Sequence, residues 1–358
     1  MFMDFASDNT SGASAPVMAA LMAANAGAAM PYGVDPWTAE AEKAVQALFE
    51  RDCAVFLVPS GTAANALALA ALTPPHGAIF CHEDAHIAND ECGAPEFFTS
   101  GAKLVGLPGA QGKIALPTLQ GALARFPRGL VKQVQPSALS LTQATEYGTL
   151  YSLEELRGLC ALAHGAGVKV HMDGARFANA LARLGCSPAD LSWRAGIDVL
   201  SFGATKNGTF CCEAVIFFDP ALARDFAFRR KRGGHTLSKG RFLGAQMSAY
   251  LRDGHWLDLA AHANAMADRL REGLEAAPGV RLPWPCEANE VFAILPRAAD
   301  AALKAAGASY YHWGARGLAP GEAPGADEVF VRLIPSFATA PEEVDRFIEI
   351  LRQAGDAA

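Results

Sequence analysis

The sequence has no CxxC pair, no unbroken apolar run long enough to span a bilayer, no excess of positive charge and no low-complexity stretch. Each absence removes a class. Cys53, Cys81, Cys92, Cys160, Cys186, Cys211, Cys212 and Cys286 lack the spacing of a zinc ribbon or a disulfide framework. In a chain this long they read as reduced core residues. A net charge of −7 argues against nucleic acid or an anionic membrane as the main partner. The opening MFMDFASDNT carries no basic region of the kind that begins a secretory signal, so none is expected. The Ala/Met-rich stretch 15–30 is too short for a membrane span and is interrupted by Asn25. The chain reads as a soluble cytoplasmic protein.

What is present is a large apolar fraction. Hydrophobic residues make up 51% of the 358 positions and charged residues 19%, enough for a sizeable core and about two domains. Short β-rich runs at 54–58, 78–81, 103–107, 137–142, 168–173, 198–204 and 213–218 alternate with helical stretches near 38–50, 62–72, 86–99, 152–165 and 174–184. Strands apolar throughout and alternating with helices predict an α/β fold, with a mainly parallel seven-stranded sheet covered on both faces. Ser152-Leu-Glu-Glu155 is a capping box that starts one of the helices. Beyond residue 235 the texture changes. A long helix is expected over 240–276, then strands near 291–295, 309–313 and 329–334 with helices near 298–307 and 341–353. We place a large domain at 1–240 and a smaller C-terminal α+β domain at 241–358, with 317–327 as an exposed loop.

In open α/β sheets ligands sit beyond the carboxyl ends of the strands. Strand 54–58 runs into Pro59-Ser60-Gly61-Thr62 and a helix, a turn whose free N–H groups and hydroxyls suit a phosphate. Read alone, the turn is equally an ordinary N-cap. Strand 168–173 ends in Asp173, with Arg176 beyond it; an acid there can hold a protonated pyridine nitrogen, or simply pair with the arginine. Strand 198–204 leads to Lys206 among small residues, where a bulky ring has room and a desolvated amine can form a Schiff base. An exposed loop lysine is the plain alternative. His82-Glu83-Asp84-Ala85-His86 matches H-E-x-x-H, yet it follows a strand directly, whereas a zinc site needs both histidines on one helix face. His86 more readily stacks on a flat cofactor or caps a helix. Arg332, inside an apolar strand, must be paired or face a cleft, where a substrate carboxylate would satisfy it. Ser7-Asp8-Asn9-Thr10 is polar and can fold over such a site or equally form a loose terminus.

A phosphate turn, a strand-end acid and a strand-end lysine, in that order, supply partners for the phosphate, ring nitrogen and aldehyde of pyridoxal phosphate. With Tyr32-Gly33-Val34-Asp35-Pro36, Asp84-Ala85-His86-Ile87 and His171-Met172-Asp173-Gly174-Ala175-Arg176, the chain resembles the threonine aldolase group of fold-type-I pyridoxal-phosphate enzymes through most of its length. That resemblance implies a transferase-like fold and retro-aldol cleavage of β-hydroxy-α-amino acids. It implies that Lys206 forms the Schiff base and Asp173 binds the ring nitrogen. It gives the phosphate to Ser60, Gly61 and Thr62, stacks His86 on the ring and sets Gln143 against the phenolic oxygen. Ser7, Arg176 and Arg332 hold the carboxylate, and Arg176 also borders the cofactor. His86, or a water it orders, is the first candidate for the base. The resemblance further implies homotetramers, dimers of dimers with active sites at the subunit interface, where Arg229, Arg230, Lys231, Arg232 or Lys239 would reach a neighbour's phosphate. Where family members carry Glu-Asn-Thr-His-Asn, this chain has Thr142-Gln143-Ala144-Thr145-Glu146, with Thr145 in place of the histidine. The alternatives are a β-eliminating lyase, racemase or transaminase of the same fold and, more remotely, a zinc hydrolase built on His82 and His86.

Overall fold

Seven of the apolar runs pair edge to edge into one sheet. The computed structural model describes residues 3–319 and 321–356. The strands are β1 (Met3–Asp4), β2 (Ala54–Val58), β3 (Gly77–His82), β4 (Lys103–Leu107), β5 (Gln135–Thr142), β6 (Lys169–Gly174), β7 (Val199–Phe202), β8 (Glu213–Phe217), β9 (Val291–Pro296), β10 (Ala308–Ser309), β11 (Tyr311–His312) and β12 (Glu328–Leu333). The helices are α1 (Ala15–Ala24), α2 (Pro36–Leu48), α3 (Gly61–Leu72), α4 (His86–Asn89), α5 (Ala94–Phe98), α6 (Leu116–Arg125), α7 (Leu153–Gly165), α8 (Phe177–Leu184), α9 (Phe226–Arg232), α10 (Arg241–Leu251), α11 (His255–Glu275), α12 (Arg297–Ala305) and α13 (Pro341–Asp356).

The large sheet has the order β2-β8-β7-β6-β5-β3-β4, and β8 alone runs against its neighbours. The expected mainly parallel sheet is what forms. β3 and β8 are buried at every position because helices cover both faces, which is why these runs show no polar alternation. α3 lies at the carboxyl edge of β2. Eight of its residues are buried, and its many alanines let it sit close to the sheet. Asp35 caps α2 by accepting from the Thr38 N–H at 2.8 Å, ahead of a proline at the first helical position. The capping box of α7 is present, with Ser152 Oγ accepting from Glu155 N at 3.1 Å and Glu155 Oε2 from Ser152 N at 2.7 Å.

Two expected helices are broken. The 86–99 stretch splits into α4 and α5 because Cys92 and Gly93 take φ of 51° and 72°. The 240–276 stretch splits into α10 and α11 at Asp253 and Gly254, with φ of 53° and 78°. Left-handed residues cannot continue a right-handed helix. The expected strand 309–313 is two short pieces, β10 and β11. Helices α1, α6 and α9 were not anticipated; α1 is apolar all round, so it offers no periodicity to read.

A second core lies around a three-stranded antiparallel sheet, β11-β12-β9, packed by α11, α12 and α13. Leu270, Leu274, Val291, Leu295, Val331, Val344 and Phe347 are all buried in it. Met3 and Phe5 belong to this core as well, since β1 pairs in parallel with β10. α11 joins the two cores: Trp256 and Ala260 pack against the large sheet, Leu270 and Leu274 against the small one. No helix among the described residues is long and apolar enough to cross a membrane.

Candidate active site

At the carboxyl edge of the large sheet two cavities adjoin. The inner one, about 310 Å³, is lined by Ser60, Gly61 and Thr62 after β2, Asp173 and Ala175 after β6, Lys206 after β7, Thr142 and Ala144 around the end of β5, and His86. The outer one, about 470 Å³, is lined by Ser7, Tyr147, Glu290, Trp313, Arg316 and Arg332. Asn9, His86, Glu146, Arg176 and Lys206 line both. The three anchors read from separate strand ends therefore share one space.

Each anchor is held by its own local structure. Ser60 is the N-cap of α3, and its Oγ accepts from Ala63 N at 3.3 Å. The first N–H groups of the helix, on Gly61 and Thr62, are left toward the cavity. A Cβ built on Gly61 would meet nothing within 4 Å, so there is room for an anion against the backbone. Asp173 is buried, and its Oδ1 accepts from Ala175 N at 3.0 Å. Its Oδ2 accepts from Asn65 Nδ2 at 2.8 Å, and a carboxylate so placed retains lone pairs for one more donor. Below it, His171 is clamped between Ser140 Oγ and Ser201 Oγ, each at 2.9 Å. Burial pulls its pKa down to about 4, so the ring is neutral and serves as a fixed strut under the site. Lys206 makes no hydrogen bond or ion pair among the described residues, and its amine is spare.

The imidazole of His86 pairs through Nδ1 with Glu91 Oε1 at 2.9 Å. The same Asn65 amide that holds Asp173 also donates to Glu91 Oε1 at 2.9 Å. The hydrogen bond from Glu91 raises the pKa of His86. Burial raises that of Glu91. Glu213 begins β8. Because that strand is antiparallel, its amino end lies at the edge where the others finish, and Glu213 Oε2 accepts from Ala204 N at 2.7 Å in the lysine loop. Burial lifts its pKa to about 7.

The two arginines behave differently. Arg176 is anchored by acids: Nε and Nη2 donate to Asp8 at 2.8 and 3.1 Å, and Nη1 lies 3.0 Å from Glu290 Oε2. Burial opposes the charge on Asp8, but Arg176 and then Lys206 outweigh it and hold this carboxyl below its ordinary value. Arg332 has a buried Nε without a partner, and its nearest acid, Glu290, is 3.9 Å away. Its guanidinium lies 4.1 Å from the centre of the Trp313 ring. A carboxylate entering the outer cavity would find donors on Arg332 that nothing else occupies.

One expectation needs correction. Gln143 is fully buried and lines neither cavity; both ends of its amide are bound to the backbone of Tyr151 at 3.0 Å, so it does not reach the phenolic oxygen. Arg176 borders both cavities, as expected of a residue beside cofactor and substrate, and Asp8 and Glu290 fix its guanidinium there. His82 uses Nε2 on Gly109 O and Nδ1 on Asp84 N, at 3.0 and 3.1 Å, and it ends a strand while His86 starts α4. The H-E-x-x-H string thus builds no paired ligand face, and no group of three or more potential metal ligands occurs among the described residues. Ser7 lines the outer cavity, with Oγ accepting from Asn9 N at 3.1 Å. Asn65, Glu91, Glu146, Glu213 and Glu290 were missed. Glu213 left a trace, an acid heading an apolar strand; Asn65 lies inside an alanine-rich helix with nothing to mark it.

The family model described as "Beta-eliminating lyase" matches residues 4–297. The chain belongs to the beta-eliminating lyase family. Within it, the chain is 47% identical over 307 residues to the low specificity L-threonine aldolase of Pseudomonas aeruginosa, covering 86% of this chain and 88% of the relative. It is 26% identical over 292 residues to the low specificity L-threonine aldolase of Saccharomyces cerevisiae, covering 81% and 73%. The structure of threonine aldolase from Leishmania major superimposes with a TM-score of 0.90 at 30% identity, over 98% of both chains. Serine palmitoyltransferase from Sphingomonas wittichii, at 17% identity and a TM-score of 0.71 over 99% of this chain and 87% of that one, shares the fold alone. For a family of this fold, the spare amine of Lys206, the open N-terminus of α3 and the acid at Asp173 fit pyridoxal phosphate by the chemistry of their donors and acceptors.

Proposed function

We propose that the chain cleaves β-hydroxy-α-amino acids of the threonine type to glycine and an aldehyde, with pyridoxal phosphate carried on Lys206. The observation that carries this reading is an unpaired lysine amine in one cavity with a strand-end acid and a helix N-terminus, next to a second cavity holding an underused guanidinium. When bound, the cofactor supplies an electron sink for the pair released from the Cα–Cβ bond.

The protein does the rest by placement. Gly61 and Thr62 offer N–H groups to the phosphate, and Ser60 keeps that helix end in shape. Asp173, steadied by Asn65 and Ala175, accepts from the ring nitrogen and favours its protonated form. His86, kept in orientation by Glu91, forms one wall of the ring slot. Arg332 takes the substrate carboxylate, with Ser7 at the rim, and fixes which Cα bond stands across the ring. Arg176 acts through Asp8 and Glu290, bracing the wall that Arg332 shares.

The reading extends to assembly. Met22, Met30, Val34, Phe210 and Phe228 are large apolar side chains left exposed, and a second copy of the chain is the partner that would cover them. Arg229, Arg230, Lys231 and Arg232 end α9, and that cationic end would face the neighbour's phosphate in a dimer of dimers. Reduced cysteines accord with a cytoplasmic setting.

The deciding experiment gives the purified protein with pyridoxal phosphate L-threonine alone, and measures acetaldehyde and glycine. Borohydride reduction and peptide mapping should place the label on Lys206. Pyruvate from L-serine without any aldehyde from L-threonine would replace this reading with β-elimination.

A further inference from the structure

The site described so far lacks a group to receive the proton of the substrate hydroxyl. The requirement is positional. The amine must reach Lys206 and the carboxylate Arg332, so the β-carbon lies where the inner and outer cavities meet. Asp173, Glu91 and Glu213 line only the inner cavity, and Asp84, Asp90 and Glu290 only the outer one. Among the described residues, Glu146 is the carboxyl that lines both.

Its setting suits proton transfer. Oε1 is fixed by two donors, the backbone N–H of His86 at 2.8 Å and the Thr142 hydroxyl at 2.9 Å. Oε2 is buried and has no partner. One oxygen thus orients the group, and the other is an unmet buried acceptor in the wall that both cavities share. The competing groups are engaged. His86 has Nδ1 on Glu91, a contact that favours its protonated form. Asp173 lines only the inner cavity, and its remaining lone pairs are the ones a ring nitrogen would take. Thr145 is buried with its hydroxyl bonded to Thr149 Oγ1 at 2.7 Å and lines neither cavity.

We propose that Glu146 is the base that takes the β-hydroxyl proton as the Cα–Cβ bond breaks. The inference rests on the aldol-cleavage reading above. The proton moves from the hydroxyl to Glu146, and the O–H electron pair becomes the second bond of the aldehyde carbonyl. The Cα–Cβ pair stays with Cα, which then takes a proton from solvent while Glu146 returns its own to solvent. Burial, with Asp173 adding to it, lifts this carboxyl to about 7, so it exchanges protons near neutrality. The titratable and charged groups around it are His86 on α4, Asp173 on β6, Cys81 on β3, and Tyr147 and Tyr151 beyond it in the chain, with Lys206 and Arg176 across the cavity.

The test is Glu146→Gln in the cofactor-loaded protein, because an amide keeps the acceptor for His86 and Thr142 yet cannot take the proton. Aldehyde release from L-threonine should fall by at least about 100-fold, within the usual worth of a positioned base. Exchange of the glycine α-proton with deuterated water, followed by NMR, breaks no Cα–Cβ bond and should stay within about threefold. The absorbance of bound cofactor should not change. A smaller fall in cleavage, or loss of exchange in parallel with cleavage, overturns the assignment. If the variant does not load cofactor, the unmodified protein decides. Its cleavage rate should fall on acidification through about 7 while exchange lacks that limb, and absence of the limb rejects Glu146. Failure of the underlying reading looks different: the unmodified protein would exchange glycine yet release no aldehyde from any β-hydroxy amino acid.

Discussion

The inner and outer cavities meet at Lys206 but are built on opposite plans. In the inner one Asp173, Asn65, Glu91 and His86 form a continuous chain of hydrogen bonds between 2.8 and 2.9 Å, with the Lys206 amine and the first N–H groups of α3 left open beside it. In the outer one Arg332 keeps a buried Nε without a partner, and Arg316, with 63% of its side chain exposed, reaches Asp84. A pre-satisfied wall pays its ordering cost once, during folding, and suits a resident that never leaves. A wall with unmet donors waits for a guest that comes and goes. On the reading proposed above, the contrast gives the inner cavity to the cofactor and the outer one to substrate.

Substitutions can break this division. Lys206→Ala should have the largest effect, abolishing borohydride labelling and lowering turnover by more than about 10⁴-fold without added amine. Full turnover would remove the lysine from the chemistry. Arg332→Ala should leave the cofactor spectrum intact and cut kcat/KM for L-threonine by roughly 10- to 150-fold, the worth of a lost charged hydrogen bond, mostly through KM. A spectral change instead would merge the two cavities into one functional unit. His86→Ala should keep the colour, weaken cofactor retention about three- to tenfold and slow turnover, as expected of one stacked wall. Equilibrium dialysis measures the retention, and an unaltered affinity would mean the ring does not rest on His86. Arg316→Ala should be nearly silent, within about fivefold in KM, because an exposed ion pair is worth little.

The fold was largely legible because most large-sheet strands are mainly apolar runs, and because the phosphate turn, Asp173 and Lys206 each lie at or just beyond the end of one. What was not legible depends on meetings across the chain. Asp8 lies 168 positions from Arg176 and Asn65 lies 108 from Asp173, and no local pattern announces either contact. Gln143 was misplaced for the same reason, since the Tyr151 backbone that binds its amide is eight residues on across a turn. The helix breaks at Cys92-Gly93 and Asp253-Gly254 escaped because a lone glycine inside a helical pattern is also tolerated. The reversal of β8 escaped because an apolar run has the same appearance in either direction.

One backbone contact has a wider consequence. A Cβ on Gly203 would lie 2.4 Å from the carbonyl oxygen of Ala175, so the loop after β7 rests directly on the loop after β6. Peptide lies on peptide there, and the span from ring-nitrogen anchor to Schiff-base anchor is set by main-chain thickness, indifferent to which side chains surround it. The cofactor chromophore is thereby a built-in gauge of that seam: during gentle heating or denaturant titration its colour should shift when the β6–β7 edge parts, whatever the distant small sheet is doing.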